Sequence, residues 1–219
     1  MFLIIERSNT FKQLLQSQLS LLYPNLEILS REKYSKEDIS REGICCVIYV
    51  VNDFNEFEKV CLDSKYLGIP LIYIEQDNNN DNRFTDYASL NNPDSIGLIV
   101  YDDLLNLNDP NSILYKIMND DFTTLVDSKI IRHFTHISDI INAICFVIKN
   151  IKDILPGTYD IFNPETHTIV DLIIEISKYR KMNYIPDHHL TTADEIIPSY
   201  TPLPLKYKTL QESIYEILS

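Results

Sequence analysis

One uninterrupted apolar segment, Ile44–Val51, constrains the fold of this chain more than any other feature. It holds eight consecutive apolar residues, several of them β-branched or aromatic. A strand with one solvent-facing side alternates apolar and polar residues, whereas a strand buried on both faces is apolar throughout. The segment therefore predicts a central strand of a parallel sheet that is covered by helices.

The surrounding sequence alternates strands and helices, as such a sheet requires. Further strands are predicted at 2–5, 26–29, 69–74, 96–101 and 158–162, and helices at 11–22, 53–67, 111–118, 138–150, 168–179 and 209–218, with Ser138 capping the fourth helix. Residues 76–95 interrupt this alternation because they show no periodic apolar face. We predict an α/β fold, a Rossmann-like doubly wound parallel sheet with a small C-terminal lobe. Residues 1–157 are assigned to the Rossmann-like domain and residues 158–219 to the lobe.

The net charge limits which classes of partner we expect, and the cysteines indicate the cellular compartment. The chain has 32 acidic and 19 basic residues, a net charge of −13. Because an acidic surface repels phosphate backbones and anionic lipids, we expect neither a nucleic acid nor a membrane partner. The apolar start of the chain stops at Glu6, too early for a signal peptide or a membrane span. The cysteines lie in apolar segments without C-x-x-C spacing, which favours a reduced, cytoplasmic protein: Cys45, Cys46, Cys61 and Cys145.

Four stretches, in chain order, resemble the extended short-chain dehydrogenase/reductase family, the NAD-dependent epimerases, dehydratases and reductases of nucleotide sugars. The most specific begins at Arg132, reads R-H-F-T-H-I-S-D-I and continues to Ala143. It resembles the family's R-[DE]-[FY]-x-H-V-x-D-[VL]-x-x-A. The other three stretches are residues 68–74, 157–163 and 205–214.

The chain departs from the family at the cofactor site. The resemblance implies a first strand followed by G-x-x-G-x-x-G, whose glycines let the backbone approach the cofactor pyrophosphate. Glu6, Asn9 and Lys12 occupy these positions. Three side chains and one carboxylate beside the phosphates oppose binding, so we expect no cofactor. If the chain is an enzyme, NAD or NADP is implied, and Arg31 after the second strand would favour NADP.

The catalytic pair of the family is also altered. The resemblance implies Y-x-x-x-K, in which the lysine lowers the pKa of the tyrosine that transfers a proton. The nearest equivalent begins at Tyr87 and has Asn91 in the place of the lysine. An amide carries no charge to stabilise a phenolate. No catalytic residue is therefore assigned, and Tyr87 and Tyr101 are the candidate proton donors if activity exists.

Arg132 is the candidate substrate-binding residue. The resemblance places an arginine here on the pyrophosphate of the nucleotide sugar, a role that suits a planar, bidentate guanidinium. The alternative is an arginine paired with Asp139 or another local acid. His133, His136 and Asp139 are spaced by three, but they cross a strand-to-helix junction, so structural roles are favoured and no metal site is predicted. His188 and His189 lie near the place of a second substrate arginine, which the chain lacks.

These observations predict a noncatalytic relative of the nucleotide-sugar epimerases, dehydratases and reductases. Such a pseudoenzyme would act by binding a protein partner, as a regulatory or structural subunit. Two alternatives stay open: an active nucleotide-sugar enzyme with a remodelled site, and a nucleotide-sugar binder without redox chemistry that uses Arg132.

Overall fold

The computed structural model describes residues 1–6, 9–25, 27–51, 53–77, 82–101, 104–105, 107, 112–119, 131–182 and 201–219. The chain divides into two compact units. The first, called the sheet unit, comprises residues 1–100, 141–160 and 200–203. The second unit comprises residues 101–140, 161–199 and 204–219. The domain boundary after residue 157 stays a prediction.

Short strands alternate with helices along the described chain. The strands are β1 (Phe2–Ile5), β2 (Ile28–Arg31), β3 (Cys46–Val50), β4 (Leu71–Asp77), β5 (Ile96–Tyr101), β6 (Leu104–Leu105), β7 (Ile131–Arg132), β8 (Thr135–His136), β9 (Gly157–Ile161), β10 (His167–Thr168) and β11 (Thr201–Pro202). The helices are α1 (Asn9–Leu22), α2 (Lys36–Ile39), α3 (Phe54–Leu67), α4 (Arg83–Asn91), α5 (Ile113–Met118), α6 (Ile137–Lys149), α7 (Ile169–Ser177) and α8 (Leu210–Leu218). Within the described residues, none of these helices is long and apolar enough to span a bilayer.

A seven-stranded sheet forms the centre of the sheet unit, in the order β2-β1-β3-β4-β5-β9-β11. β1 pairs in parallel with both β2 and β3, β3 with β4, and β9 with β11. The apolar segment Ile44–Val51 contains β3, in which Val47, Ile48 and Tyr49 are fully buried. The predicted fold, a Rossmann-like parallel sheet flanked by helices, is confirmed.

Phe57 of α3 lies at the centre of the aromatic core of the sheet unit. Its ring centroid is 5.2 Å from that of Tyr73 and 5.3 Å from that of Phe84, both edge to face. The side chain of Asp53 caps α3 by accepting the Glu56 N–H. Gly68 ends the helix with φ +66°, a left-handed conformation that glycine adopts without strain.

Two local predictions were wrong. The stretch 76–95 contains α4, whose buried face is limited to Phe84, Thr85 and Ala88, too few residues for a visible helical period. Ser138 lies inside α6 rather than at its cap, because the helix already begins at Ile137 and the Ser138 hydroxyl bonds other side chains.

The second unit has its own core and two small sheets. β6 pairs in parallel with β8, and β7 pairs antiparallel with β10. Apolar side chains of α5, α7 and α8 pack around the fully buried Phe134. α7 and α8 each begin with a capping box, formed by Thr168 with Asp171 and by Thr209 with Glu212. These reciprocal bonds fix where each helix starts.

Candidate functional site

Ligands of parallel α/β sheets bind beyond the carboxyl ends of the strands. Glu6 follows β1 at this edge, and its side chain is only 2% exposed. The Glu6 N–H donates to the carbonyl oxygen of Arg31 at 2.9 Å, which continues the pairing of β1 with β2. Asn9 begins α1 and Lys12 lies in its first turn, but both side chains lie outside the described part. The first of the three altered glycine positions is therefore a buried carboxylate at the end of β1.

Arg31, at the end of β2, is engaged locally. Its Nε donates to Asp38 Oδ2 at 2.9 Å, and its Nη1 donates to the carbonyl oxygen of Ser30 at 3.0 Å. Asp38 belongs to the short helix α2, which Ser35 caps. A 2′-phosphate at Arg31 would have to compete with the Asp38 carboxylate for this guanidinium.

Tyr87 lies on α4 among aromatic side chains. Its ring meets Phe54 and Phe57 edge to face, at centroid distances of 5.6 Å and 6.2 Å. Burial raises the pKa of the Tyr87 phenol, and the negative charge of Glu58 raises it further. Asn91 Nδ2 donates to the carbonyl oxygen of Tyr87 at 2.9 Å, so its amide bonds the helix backbone. Tyr101 ends β5, and its side chain lies outside the described part.

Arg132 is half-buried on β7 in the second unit, directly across from His167 of β10. Asp139, its proposed alternative partner, accepts the backbone N–H of Lys208 at 3.3 Å. His188 and His189 lie outside the described residues. Whether Arg132 binds a substrate stays a prediction.

Buried polar groups connect β7 and β8 to the turn after β9. His133 Nδ1 lies 2.7 Å from the carbonyl oxygen of Asn163. The Asn163 N–H donates to Thr135 Oγ1 at 3.2 Å, and its Nδ2 donates to the carbonyl oxygen of Lys208 at 2.6 Å. Asn163 thus joins three distant parts of the chain through its backbone and its side-chain amide. This geometry suits a structural role for His133.

A second polar chain surrounds the start of α6. Lys208 Nζ donates to Ser138 Oγ at 2.7 Å and also to the Glu216 carboxylate. Ser138 Oγ lies 2.6 Å from His136 Nδ1, which also accepts the Ser138 N–H at 3.2 Å. Because His136 Nδ1 accepts a backbone N–H, the proton of the neutral ring is on Nε2. The hydrogen bonds therefore run from Lys208 through Ser138 to a neutral His136; we call Lys208, Ser138, His136, Asp139 and Glu216 the α6 network.

Burial perturbs both titratable groups at the start of α6. It lowers the pKa of His136 from 6.5 to about 4, and the positive charge of Lys208 acts in the same direction. It raises the pKa of Asp139 from 3.8 to about 6, although the Lys208 N–H and charge partly offset the effect. At neutral pH His136 is uncharged and Asp139 is ionised. Within the described residues, no three His, Cys, Asp or Glu side chains converge as metal ligands.

Sequence reasoning named His136 and Asp139 but missed Lys208, the residue that joins them. Lys208 lies in one of the four stretches that carry the resemblance, two residues after Lys206. Lys206 is exposed and Lys208 is half-buried. The segment is neither helix nor strand, so it has no sequence period from which this difference in burial could be predicted. The one sequence feature that could have pointed to Lys208 is its position directly before Thr209, which caps α8.

Comparison with known proteins adds information on the fold. No family model matches the sequence, and no curated protein matches it. Among solved structures, the enzyme WbmH from Bordetella bronchiseptica in complex with NAD+ is 12% identical, with 97% of this chain and 95% of that chain covered and a TM-score of 0.66. The dTDP-4-dehydrorhamnose reductase of Bacillus anthracis in complex with NADP is 13% identical, with 98% and 96% covered and a TM-score of 0.65.

A third similar structure is the dTDP-glucose 4,6-dehydratase of Bacillus anthracis in complex with NAD, at 13% identity, 99% and 96% coverage and a TM-score of 0.68. Identities this low establish a shared fold and not a shared chemistry. The resemblance to the nucleotide-sugar reductases and dehydratases of the extended short-chain dehydrogenase/reductase family is confirmed at the level of the fold.

Proposed function

We propose that this chain is a noncatalytic relative of the nucleotide-sugar dehydratases and reductases, which acts by binding a protein partner. The observation that carries the proposal is the environment of Tyr87. In the family that the chain resembles, a lysine lowers the pKa of the tyrosine that transfers the proton. Here burial and the negative charge of Glu58 raise the pKa of Tyr87, and Asn91 bonds the helix backbone. Both effects oppose proton transfer by this phenol.

The buried carboxylate of Glu6 supports the same conclusion. A carboxylate at the end of β1, when it is ionised, repels a pyrophosphate that approaches this edge of the sheet. Two like charges about 4 Å apart cost about 4 kcal/mol at the effective dielectric constant typical near a protein surface. That is a loss of about a thousandfold in affinity. Protonation of Glu6 would remove the repulsion. The side chain would still occupy the space that a glycine leaves open for the pyrophosphate in the family that the chain resembles.

Dinucleotide titration tests the loss of cofactor binding. We expect no saturable heat and no thermal stabilisation with NAD+, NADH, NADP+ or NADPH at about 1 mM, a concentration at which even a Kd of about 10 μM would stabilise the fold by about 2.7 kcal/mol. The variant Glu6→Gly should bind better than the wild type, whereas the control Glu27→Gly at an exposed position should not. Micromolar binding by the wild type would contradict the proposal and favour the active-enzyme alternative.

The partner that suits this proposal is an active nucleotide-sugar enzyme of the same fold. A regulatory subunit changes the kcat or KM of its partner, whereas a structural subunit changes only its assembly state. Size-exclusion chromatography of the mixture, followed by steady-state kinetics, distinguishes the two. We also propose a cytoplasmic location, because the four cysteines are free thiols. Unchanged kinetics and separate elution with every such enzyme of the host would count against the partner.

A nucleotide-sugar binder without redox chemistry is the second candidate. One structure with this fold, WbmG from Bordetella bronchiseptica, holds NAD and UDP, at 13% identity, 98% and 92% coverage and a TM-score of 0.68. If this chain binds UDP- or dTDP-sugars, Arg132→Ala should weaken binding about tenfold or more, as expected for a lost charge-assisted contact. Arg180→Ala, a change at an exposed arginine of the same unit, is the control. Equal binding by the wild type and Arg132→Ala would exclude Arg132 as the contact.

A further inference from the structure

The sheet unit contains a pocket at the edge opposite the one at which dinucleotides bind. Leu71 and Ile96, the first residues of β4 and β5, line it, so it lies at the amino ends of these strands. Its volume is about 270 Å3. Three connections surround it: the one from α3 to β4, the one from α4 to β5 and the one from α6 to β9. All the lining residues belong to the sheet unit.

Apolar and polar side chains both line this pocket. Four isoleucines, which come from two of the connections and from the start of β5, form the apolar part: Ile69, Ile96, Ile151 and Ile154. Branched aliphatic side chains favour an apolar group of similar shape, because burial removes apolar surface from water.

The polar part of the lining is held in a fixed geometry. Asn92 is buried, and its Nδ2 donates to the carbonyl oxygen of Cys61 at 3.2 Å and to Ser64 Oγ at 3.1 Å. Ser64 Oγ donates in turn to the same carbonyl oxygen at 3.0 Å. These bonds use both N–H groups of the amide, so Asn92 keeps its oxygen as the acceptor for a donor on a ligand.

Two opposite charges border the pocket without neutralising each other. Lys65 and Asp94 both line it and are both exposed, and within the described part of the chain neither forms an ion pair. α3, α4 and α6 all end at the connections that form the pocket, so their carboxyl ends add partial negative charge there. A ligand with both an ammonium and a carboxylate group would complement this arrangement.

We propose that this pocket binds a free α-amino acid with a branched apolar side chain, of the size of leucine or isoleucine. Asp94, the helix ends and the Asn92 oxygen hold the ammonium group, Lys65 holds the carboxylate, and the isoleucines enclose the side chain. The pocket volume of about 270 Å3 is sufficient for a ligand of this size. The inference is independent of the proposed function, since the site lies at the other edge of the sheet.

Calorimetric titration of the full chain with L-leucine and L-isoleucine tests the proposal. We expect saturable binding of one ligand per chain. The amine 3-methylbutylamine lacks the carboxylate and the acid 4-methylpentanoate lacks the ammonium group, so each should bind about tenfold more weakly or worse. No saturable binding of either amino acid at about 10 mM, or equal binding of the analogues, would overturn the proposal.

Variants assign each charge separately. Asp94→Asn should weaken amino acid binding about tenfold and leave the binding of 4-methylpentanoate unchanged, whereas Lys65→Gln should weaken the amino acid and the acid but not the amine. Ile154→Phe should abolish binding by filling the pocket. Lys59→Gln and Asp86→Asn, at exposed positions of α3 and α4 outside the lining, are the controls. Binding that survives Asp94→Asn and Lys65→Gln unchanged would place the ligand elsewhere and refute the site.

Discussion

Replacing His136 by asparagine should stabilise the protein in acid relative to the wild type. The pKa of His136 is about 4 in the folded chain and 6.5 as the reference for the unfolded chain. Between these values the unfolded state binds a proton that the folded state does not, so falling pH favours unfolding. Asp139 acts with the opposite sign: its pKa is raised from 3.8 to about 6, so the folded state holds the extra proton and gains stability as pH falls through that window.

The magnitudes follow from proton linkage. Between about pH 7.5 and about pH 5, the His136 shift removes about 2 kcal/mol of stability, and the Asp139 shift restores about 1 kcal/mol. The wild type therefore loses about 1 kcal/mol of stability from this pair, because the Asp139 effect offsets about half of the His136 effect. The variant His136→Asn keeps an acceptor for the Ser138 N–H but removes the titrating ring.

Urea unfolding followed by circular dichroism at both pH values measures the effect. Relative to the wild type, His136→Asn should gain about 2 kcal/mol in the free energy of unfolding on going to the lower pH, and Asp139→Asn should lose about 1 kcal/mol. Asp139→Asn thus serves as the matched control with the opposite sign. A difference between His136→Asn and the wild type that is the same at both pH values would refute the assignment of a buried, neutral imidazole to the α6 network.

Two further predictions concern the core of the sheet unit, and urea unfolding measures both. Gly97→Ala should lower the free energy of unfolding by about 1–3 kcal/mol, because an added Cβ would clash with the hydroxyl oxygen of the buried Tyr73. An unchanged unfolding midpoint would show that the Tyr73 side chain can move aside. Phe57→Ala should lower the free energy of unfolding by about 3–5 kcal/mol, because it leaves a cavity at the centre of the aromatic core. The control is Leu62→Ala on the same helix, where the side chain is 47% exposed, and it should change the free energy of unfolding by less than about 1 kcal/mol. Equal effects of these two changes would contradict the assigned core.

The central strands could be predicted accurately from the sequence, whereas the edge strand β2 and the short helix α4 could not. The segments that became β1, β3, β4 and β5 are buried on both faces, so each appears as a continuous apolar run. β2 was predicted two residues too early, because this strand at the sheet edge is only half-buried and ends in Ser30 and Arg31. The helix α4 was missed because its short buried face gives no helical period.

The candidate site depends on contacts that no local pattern encodes. The altered positions Glu6 and Asn91 were visible in the sequence through their spacing. The bond from Asn91 to the carbonyl of Tyr87 required coordinates, and so did the bonds of Lys208 to Ser138, since these last two residues are 70 positions apart. The pocket lined by Asn92 and Ile154 could not be predicted from the sequence either, because it forms where three helix-to-strand connections that are distant in sequence meet.

The sheet unit is discontinuous in sequence, and this has a consequence for folding kinetics. Its last strand, β11, comes from residues 201–202 and pairs with β9, more than 40 positions earlier. During synthesis the other six strands of the sheet are made before β11, so β9 is an open sheet edge until then. Because closing long loops slows folding and open edges can pair with other chains, we expect β9 to be most prone to intermolecular pairing before residues 201–202 reach it.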